Sequence, residues 1–351
     1  MPATLFAKAW LVVWLLVATN ATTIAAQQTS SVAPPRTDAS AETRVLELEQ
    51  PLERELAGGQ THTYQLPLAA GQYLRVMAEQ HGIDVTLVLS AATGELLISV
   101  EMDPRRMGQE TLEQVISNTG IYQFVVKATP KQTGAGKYTL RIAALRVATP
   151  QDQALQTARD LYKDFIASYG DGQYDKAQPI IERILSIREQ VLGTEHPDVA
   201  QAVNSLGTIY FMKGEYAQAE PHYLRALAIR EKTLDAQDPA IFRSLMNLAN
   251  LHRIKTNYEQ AEILYQRALV LGETIFGADS VDVAGCLNNL GYLKYGKGDA
   301  VNAEPLYRRA LEIWEKRNDP NMALCLNKLA NLVLDRGEYK DAEGFYQRAL
   351  A

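Results

Sequence analysis

The chain has 351 residues, 47% of them apolar and 22% charged, the composition of a globular protein with room for two or three domains. Its net charge is −6, with Lys and Arg scattered among Asp and Glu, so no basic stripe exists to neutralise a phosphate backbone, which argues against nucleic acid as a partner. The two cysteines, Cys286 and Cys325, are too few for a disulfide framework and lack the spaced Cys or His neighbours of a metal site.

Residues 1–26 place one cation, Lys8, before the apolar run Ala9 to Ala18 and the small, polar stretch TNATTIAA. Charge, apolar core and small residues at Thr23 and Ala25 are the three parts of a secretory signal, with cleavage expected after Ala25 or Ala26. The run is too short to cross ~30 Å of hydrocarbon at ~1.5 Å per residue, so no stable membrane insertion is expected after cleavage. The mature chain is therefore expected in the periplasm or outside the cell. Residues 27–43 are polar, carry paired prolines and no apolar period, and read as a disordered tether.

From 44 to 148 the apolar period is two, in runs such as THTYQLPL, QYLRVMAE, DVTLVLS, IYQFVVKA and KYTLRIAAL separated by AGG, AAG, ATG, NTG and TGAG turns. Seven or eight short alternating strands predict an antiparallel β-sandwich. The closing Gly120-Ile121-Tyr122 resembles the Gly-x-Tyr pattern of the bacterial pre-peptidase C-terminal type of sandwich. Some relatives of that type bind calcium or extracellular polymers, but Asp84 and Asp103 are each isolated here, so no metal site is carried over.

Beyond Pro150 the period becomes helical and the chain repeats itself. NSLGTIYFMKGEYAQAEPHYLRALAIRE (204–231) recurs as MNLANLHRIKTNYEQAEILYQRALVLGE (246–273), NNLGYLKYGKGDAVNAEPLYRRALEIWE (288–315) and NKLANLVLDRGEYKDAEGFYQRAL (327–350). The steps are 42, 42 and 39 residues, which puts the difference in a loop. A weaker unit at 169–193 fits the second half of the pattern, and the whole array is read as 157–351. Gly207, Ala249, Gly291 and Ala330 are small where two helices must approach; Ala219, Ala261, Ala303 and Ala342 do the same on the second helix. Tyr223, Tyr265, Tyr307 and Tyr346 fill the space between units. His196, Asp238, Ser280 and Asp319 precede Pro197, Pro239, Val281 and Pro320, the order of an N-cap before a first helical position. Gly214, Gly298 and Gly337 sit at the turn inside each pair, where a left-handed conformation is wanted.

The pattern NxLGxxYxxxGxYxxAExxYxRALxIxE with HPDVA between units resembles tetratricopeptide repeats of the kinesin-light-chain kind. The resemblance implies an α-α superhelical solenoid whose first helices line a concave groove for extended peptides or partner helices; with the antiparallel sandwich read above, the chain is expected to be multidomain β + α. The order of leader, sandwich and repeats also resembles the front half of exported bacterial proteins that end in a caspase-like CHAT protease domain. The chain reaches its end at FYQRALA without a polar cap over Phe345, Tyr346 and Leu350, so either it is a piece of a longer protein or something else covers that end, self-association included.

In the repeat frame the residues three before and one after the small first-helix position are expected to face the groove: Asn204 and Thr208, Met246 and Asn250, Asn288 and Tyr292, Asn327 and Asn331. Adjacent turns add Phe211, Arg253 and Tyr295, and Gln201 and Arg243. Asparagine both donates to and accepts from a peptide backbone, and equally suits bonds between neighbouring helices. The resemblance implies that Asn and basic residues on this stripe hold ligand backbone or carboxylate, with Met246 interrupting the asparagines. Cys286 and Cys325 lie on successive first helices, whose axes ~8–10 Å apart exceed the reach of a disulfide, so free buried thiols are expected.

His62, His81, His196, His222 and His252 show no i,i+4 pair, no residue has a nucleophile's context, and no Gly-rich phosphate loop occurs. No catalytic residue, metal or cofactor is therefore expected within these residues. The leading expectation is an exported scaffold holding a peptide or protein in the groove. The alternatives are the recognition arm of a larger enzyme whose catalytic domain lies elsewhere, and cell-surface binding through the sandwich.

Overall fold

The computed structural model describes residues 44–45, 50–101, 109–128 and 134–350; the expected leader at 1–26 and tether at 27–43 lie outside them. The chain divides into two compact units, residues 1–156 and 157–351.

In the first unit the period-two runs become two sheets. One is ordered β1 (Arg44–Val45), β3 (Thr61–Leu68), β8 (Gly120–Ala128), β5 (Val85–Ala91) and β6 (Leu96–Glu101); the other β2 (Leu52–Ala57), β9 (Ala135–Val147), β4 (Gln72–His81) and β7 (Gln109–Val115). Every pairing is antiparallel except that of the two-residue β1, which runs parallel to β3. Alternate residues of each strand point inward: Leu74, Val76 and Ala78 on β4, Leu87 and Leu89 on β5, Phe124 and Val126 on β8, Leu140 and Ile142 on β9 share one core. Each Val, Leu, Ile or Phe among them contributes roughly 1.5–3 kcal/mol on burial.

Polar groups that enter this core are bonded, as burial demands. The hydroxyls of Tyr64 and Tyr138 lie 2.6 Å apart, and that of Tyr138 is 2.6 Å from His62 Nδ1. Tyr122, of the Gly-x-Tyr motif, donates its hydroxyl to Asn118 O at 2.6 Å. Gly136 is glycine because β9 passes the turn after β4 so closely that a Cβ there would lie 2.6 Å from the carbonyl carbon of Gly82.

Among the described residues, ten helices follow, as five antiparallel pairs: α1 (Pro150–Gly170) with α2 (Tyr174–Leu192), α3 (Pro197–Met212) with α4 (Tyr216–Thr233), α5 (Pro239–Ile254) with α6 (Tyr258–Phe276), α7 (Val281–Gly296) with α8 (Ala300–Arg317), and α9 (Asn321–Asp335) with α10 (Tyr339–Leu350). The weak first unit is thus a complete pair, its first helix beginning at Pro150, ahead of the expected 157. The starts are capped as read: His196 Nδ1 accepts from Asp198 N, Asp238 Oδ1 from Ala240 N and Ser280 Oγ from Val283 N. Before α9 the carboxylate of Asp319 accepts from Asn321 N at 2.9 Å, and the helix opens one residue later, with Pro320 as its N-cap.

Two periodic ion-pair columns join successive second helices and turns. Glu189 meets Arg225, Glu231 meets Arg267, Glu273 meets Arg309 and Glu315 meets Arg348. Glu220, Glu262 and Glu304 meet Lys255, Lys297 and Arg336, with Gln178 and Lys213 in the same places one unit earlier. Partly exposed pairs are worth about 0–1 kcal/mol each, so their regularity fixes the angle between units more than it adds stability. Both thiols are free and buried, and each Sγ–H donates to a backbone carbonyl, Cys286 to Tyr265 O and Cys325 to Tyr307 O.

The turn within each pair passes through a left-handed residue: Gly172, Gly214, Gly298 and Gly337 have φ of 72°, 79°, 80° and 79°, whereas the second repeat places Thr256 there with φ 61°. A β-branched residue pays a steric penalty in this region, ~1–2 kcal/mol, of which the extra freedom of unfolded glycine offsets part. Thr256→Gly is expected to stabilise the chain by about 0.5–1 kcal/mol. Urea unfolding followed by circular dichroism checks this, and an unchanged or lowered midpoint refutes it.

Candidate functional site

The helical unit presents a face built by its first helices, and the expected residues divide between that face and the packing beneath it, where Met246 and Asn288 are buried. The tyrosine that packs against the small first-helix residue sends its hydroxyl to the very next position. Tyr223 Oη donates to Thr208 Oγ1 at 3.2 Å, Tyr265 Oη to Asn250 Oδ1 at 2.6 Å, and Tyr346 Oη to Asn331 Oδ1 at 2.6 Å. Thr208, Asn250 and Asn331 therefore each serve the packing of their own pair, while part of Thr208 and Asn250, and more of Asn331, stays in solvent.

The position three before the small residue divides. Asn204 is half-buried, and its Oδ1 accepts from Asn247 Nδ2 of the next first helix at 3.1 Å. Met246 and Asn288 are buried, at 1% and 2% exposure, whereas Asn327 is exposed. Gln201 Oε1 accepts from Arg188 Nη1 at 2.9 Å, Phe211 packs edge-on against Tyr216, and Tyr295 donates its hydroxyl to the Asp335 carboxylate.

A column that the sequence reading passed over runs beside these: Ser205, Asn247, Asn289 and Lys328, one residue beyond the asparagine stripe. Asn247 reaches back to Asn204, and Asn289 Nδ2 reaches Asn250 Oδ1 at 3.5 Å. Lys328 Nζ stands 4.4 Å from the centroid of the Tyr292 ring, with the Arg253 guanidinium 5.0 Å from the same centroid. One aromatic ring on α7 thus gathers a cation from α5 and another from α9, an arrangement the quadrupole of the ring favours. Burial, and then the charge of Arg253, push the Lys328 amine down to about 8. The signal for this column was available, since all four repeats are polar there.

Arg188 and Arg230, 42 residues apart, were also missed. Each is a second-helix arginine buried to 7% and 5% exposure that donates Nη1 to a first-turn carbonyl of the next first helix, Asp198 O and Ala240 O. Arg230 also donates to Ser244 Oγ at 2.6 Å. Burial, with the exposed Arg243 nearby, lowers Arg230 to about 10 against the opposing pull of Asp238. The first-helix face thus carries Arg243, Arg253 and Lys328 on a chain whose net charge is −6. Among the described residues, no cluster of three or more His, Cys, Asp or Glu could hold a metal ion, and no helix is long and apolar enough to cross a membrane.

A family model described as tetratricopeptide repeat matches residues 166–232, 240–316 and 286–351, just over half of the chain. No curated protein matches the sequence. Among solved structures, BtubC (BKLC) from P. vanneervenii is 22% identical over 57% of this chain and 90% of that one, with a TM-score of 0.49. A kinesin light chain-type repeat protein from Podosopora anserina is 18% identical over 56% and 94%, with a TM-score of 0.50. Aspartyl phosphate phosphatase F from Bacillus subtilis is 15% identical over 57% and 51%, at the same TM-score. At these identities the likeness to the latter two is one of fold alone.

The geometry around Tyr292 makes one electrostatic expectation. Lys328 should titrate near pH 8, and Arg253→Ala should raise it toward the ordinary ~10.4 of a lysine. NMR of the reductively ¹³C-methylated chain follows that amine directly. A midpoint at the ordinary value in the unsubstituted chain would overturn the burial argument.

Proposed function

The chain belongs to the tetratricopeptide repeat family, and from that premise we propose that it is an exported scaffold holding an extended peptide segment of a partner protein along its first-helix groove. Repeats of this family generally serve protein–protein interaction, and stacked pairs offer an extended surface with little chemistry of its own. The observation that carries the reading is the polar column on the first helices. Asn247 and Asn289 bond across neighbouring pairs, and the same face offers Asn204, Asn327 and the Arg253–Tyr292–Lys328 cluster. Amides spaced along successive units suit the alternating donors and acceptors of an extended backbone, and the cations suit carboxylates on it.

Export rests on the order of charge, apolar run and small residues in 1–26. The sandwich is read as pre-peptidase C-terminal in type, supported by Gly120-Ile121-Tyr122 and the bond from Tyr122 to Asn118. It orients or attaches the repeat array outside the cytoplasm.

Two experiments test this. The full chain is applied to a cellulose array of mixed dodecapeptides, beside a variant carrying Arg243→Ala and Asn327→Ala. Both residues are exposed, so helicity should hold while peptide capture falls about tenfold, the loss of one or two charge-assisted contacts. Equal capture by both chains would remove the function from this face. For export, N-terminal sequencing of the chain recovered from periplasm or medium should begin at Ala26 or Gln27; an intact Met1 there sinks the leader.

A further inference from the structure

The fourth helix pair breaks a bonding rule that three other pairs keep. In the pairs α3–α4, α5–α6 and α9–α10, the tyrosine hydroxyl is bonded by the residue after the small position. In α7–α8 that residue is Tyr292, and the hydroxyl of Tyr307, itself fully buried, has no hydrogen-bond partner. Asn288 lies one helical turn before Tyr292 on the same stripe, is 2% exposed, and its Oδ1 is likewise without a partner. Two of the buried polar atoms without a partner thus belong to this one pair, Asn288 a turn before Tyr292 and Tyr307 packed on Gly291 beside it, and a buried polar group ordinarily has a partner.

The register shows what normally meets the asparagine. Asn247 donates to Asn204 from 43 residues on; across the shorter last step, 43 less 3, the residue in that place for Asn288 is Lys328. Lys328 instead points its amine at the ring of Tyr292, whose other cation is Arg253. The ring is only partly buried, and rotating it outward would open the Tyr307 hydroxyl toward the first-helix face, since that is where its three counterparts point.

We propose that this pair is the anchor subsite of the groove, gated by Tyr292, and that it takes a neutral carboxamide, a Gln or Asn side chain of the bound peptide. The inference rests on the groove reading above and deepens it. A carboxamide accepts from Tyr307 Oη–H through its oxygen and donates to Asn288 Oδ1 through its nitrogen. A carboxylate only accepts, and would set its lone pairs against Asn288 Oδ1; an aliphatic side chain would leave both atoms unmet.

The test is a positional-scanning dodecapeptide array read with the full chain, Tyr307→Phe and Tyr292→Asn. Tyr307→Phe deletes a hydroxyl that bonds to nothing, so its thermal midpoint should hold or rise. Tyr292→Asn restores the residue found in the second and fourth repeats, which should bond Tyr307 and close the subsite. The unsubstituted chain should prefer Gln or Asn about tenfold at one position, and both variants should lose that preference while still capturing peptide. A preference for Asp, Glu, Ser or Thr there, or a Gln preference surviving in Tyr307→Phe, overturns the proposal. Capture with no side-chain preference also overturns it, leaving an internal water as the occupant and the groove reading intact. No capture by any of the three chains defeats both.

Discussion

Where α3 crosses α4, a side chain at Gly207 would start 3.0 Å from the Tyr223 ring, and Gly291 faces Tyr307 at the same distance. Ala249 and Ala330 hold the equivalent places in the other two repeats. This contact between a nearly absent side chain and a flat ring sets how closely the two helices of a pair can lie. Once the ring is pinned, its hydroxyl points at the next first-helix residue, which bonds it in the pairs of Tyr223, Tyr265 and Tyr346 as a buried hydroxyl requires. Packing inside the pair therefore claims Thr208, Asn250 and Asn331, which the repeat frame assigns to the binding face. On the proposed groove reading, structural and binding demands meet on the same side chains, each already held by its tyrosine hydroxyl.

Between pairs the constraint is electrostatic and periodic. The column from Glu189–Arg225 to Glu315–Arg348 repeats the same ion pair at every junction, including the last, whose step is three residues shorter. The shortening falls in the connection after α8, where Asn318 takes a left-handed turn with φ 50° and α9 opens one residue later. The loop absorbs the difference so that the helices need not, which is why the columns stay in register.

Most of the fold was legible because it repeats. Small residues, tyrosines and caps recurring at 42-residue steps name their own contacts, and alternation in the sandwich names its core strands. What escaped reading were contacts joining residues that no local pattern pairs. Asn247 meets Asn204 through stacking of whole units, and Lys328 joins Arg253 on Tyr292 across three first helices. The weakness of the first unit as a repeat had a physical cause as well: α1 carries Phe165 where later first helices carry Gly or Ala, and Phe165 stacks on Tyr169 and packs at a tilt against Tyr162. Burial of Asn288 could not be read either, because its exposed counterpart Asn327 bears the same residue type in the same frame.

The column of Arg188, Arg230, Gly272 and Trp314 shows that the array is not uniform along its length. In the first two places a guanidinium is buried and ties one pair to the next through first-turn carbonyls. In the third the side chain is missing because Phe242 fills the space, a Cβ at Gly272 falling 2.8 Å from its ring. In the fourth Trp314 packs into the apolar cluster of the last pairs. A buried cation tied to carbonyls is intolerant of losing a partner, since removal leaves desolvated charge behind. An aromatic in the same place depends only on shape. Along this column the early junctions are thus tied by hydrogen bonds and the late ones by packing. Because each pair in a solenoid touches only its neighbours, this difference stays local. It leaves the later pairs free to vary their polar residues, and there Tyr292 departs from the pattern without disturbing the stack.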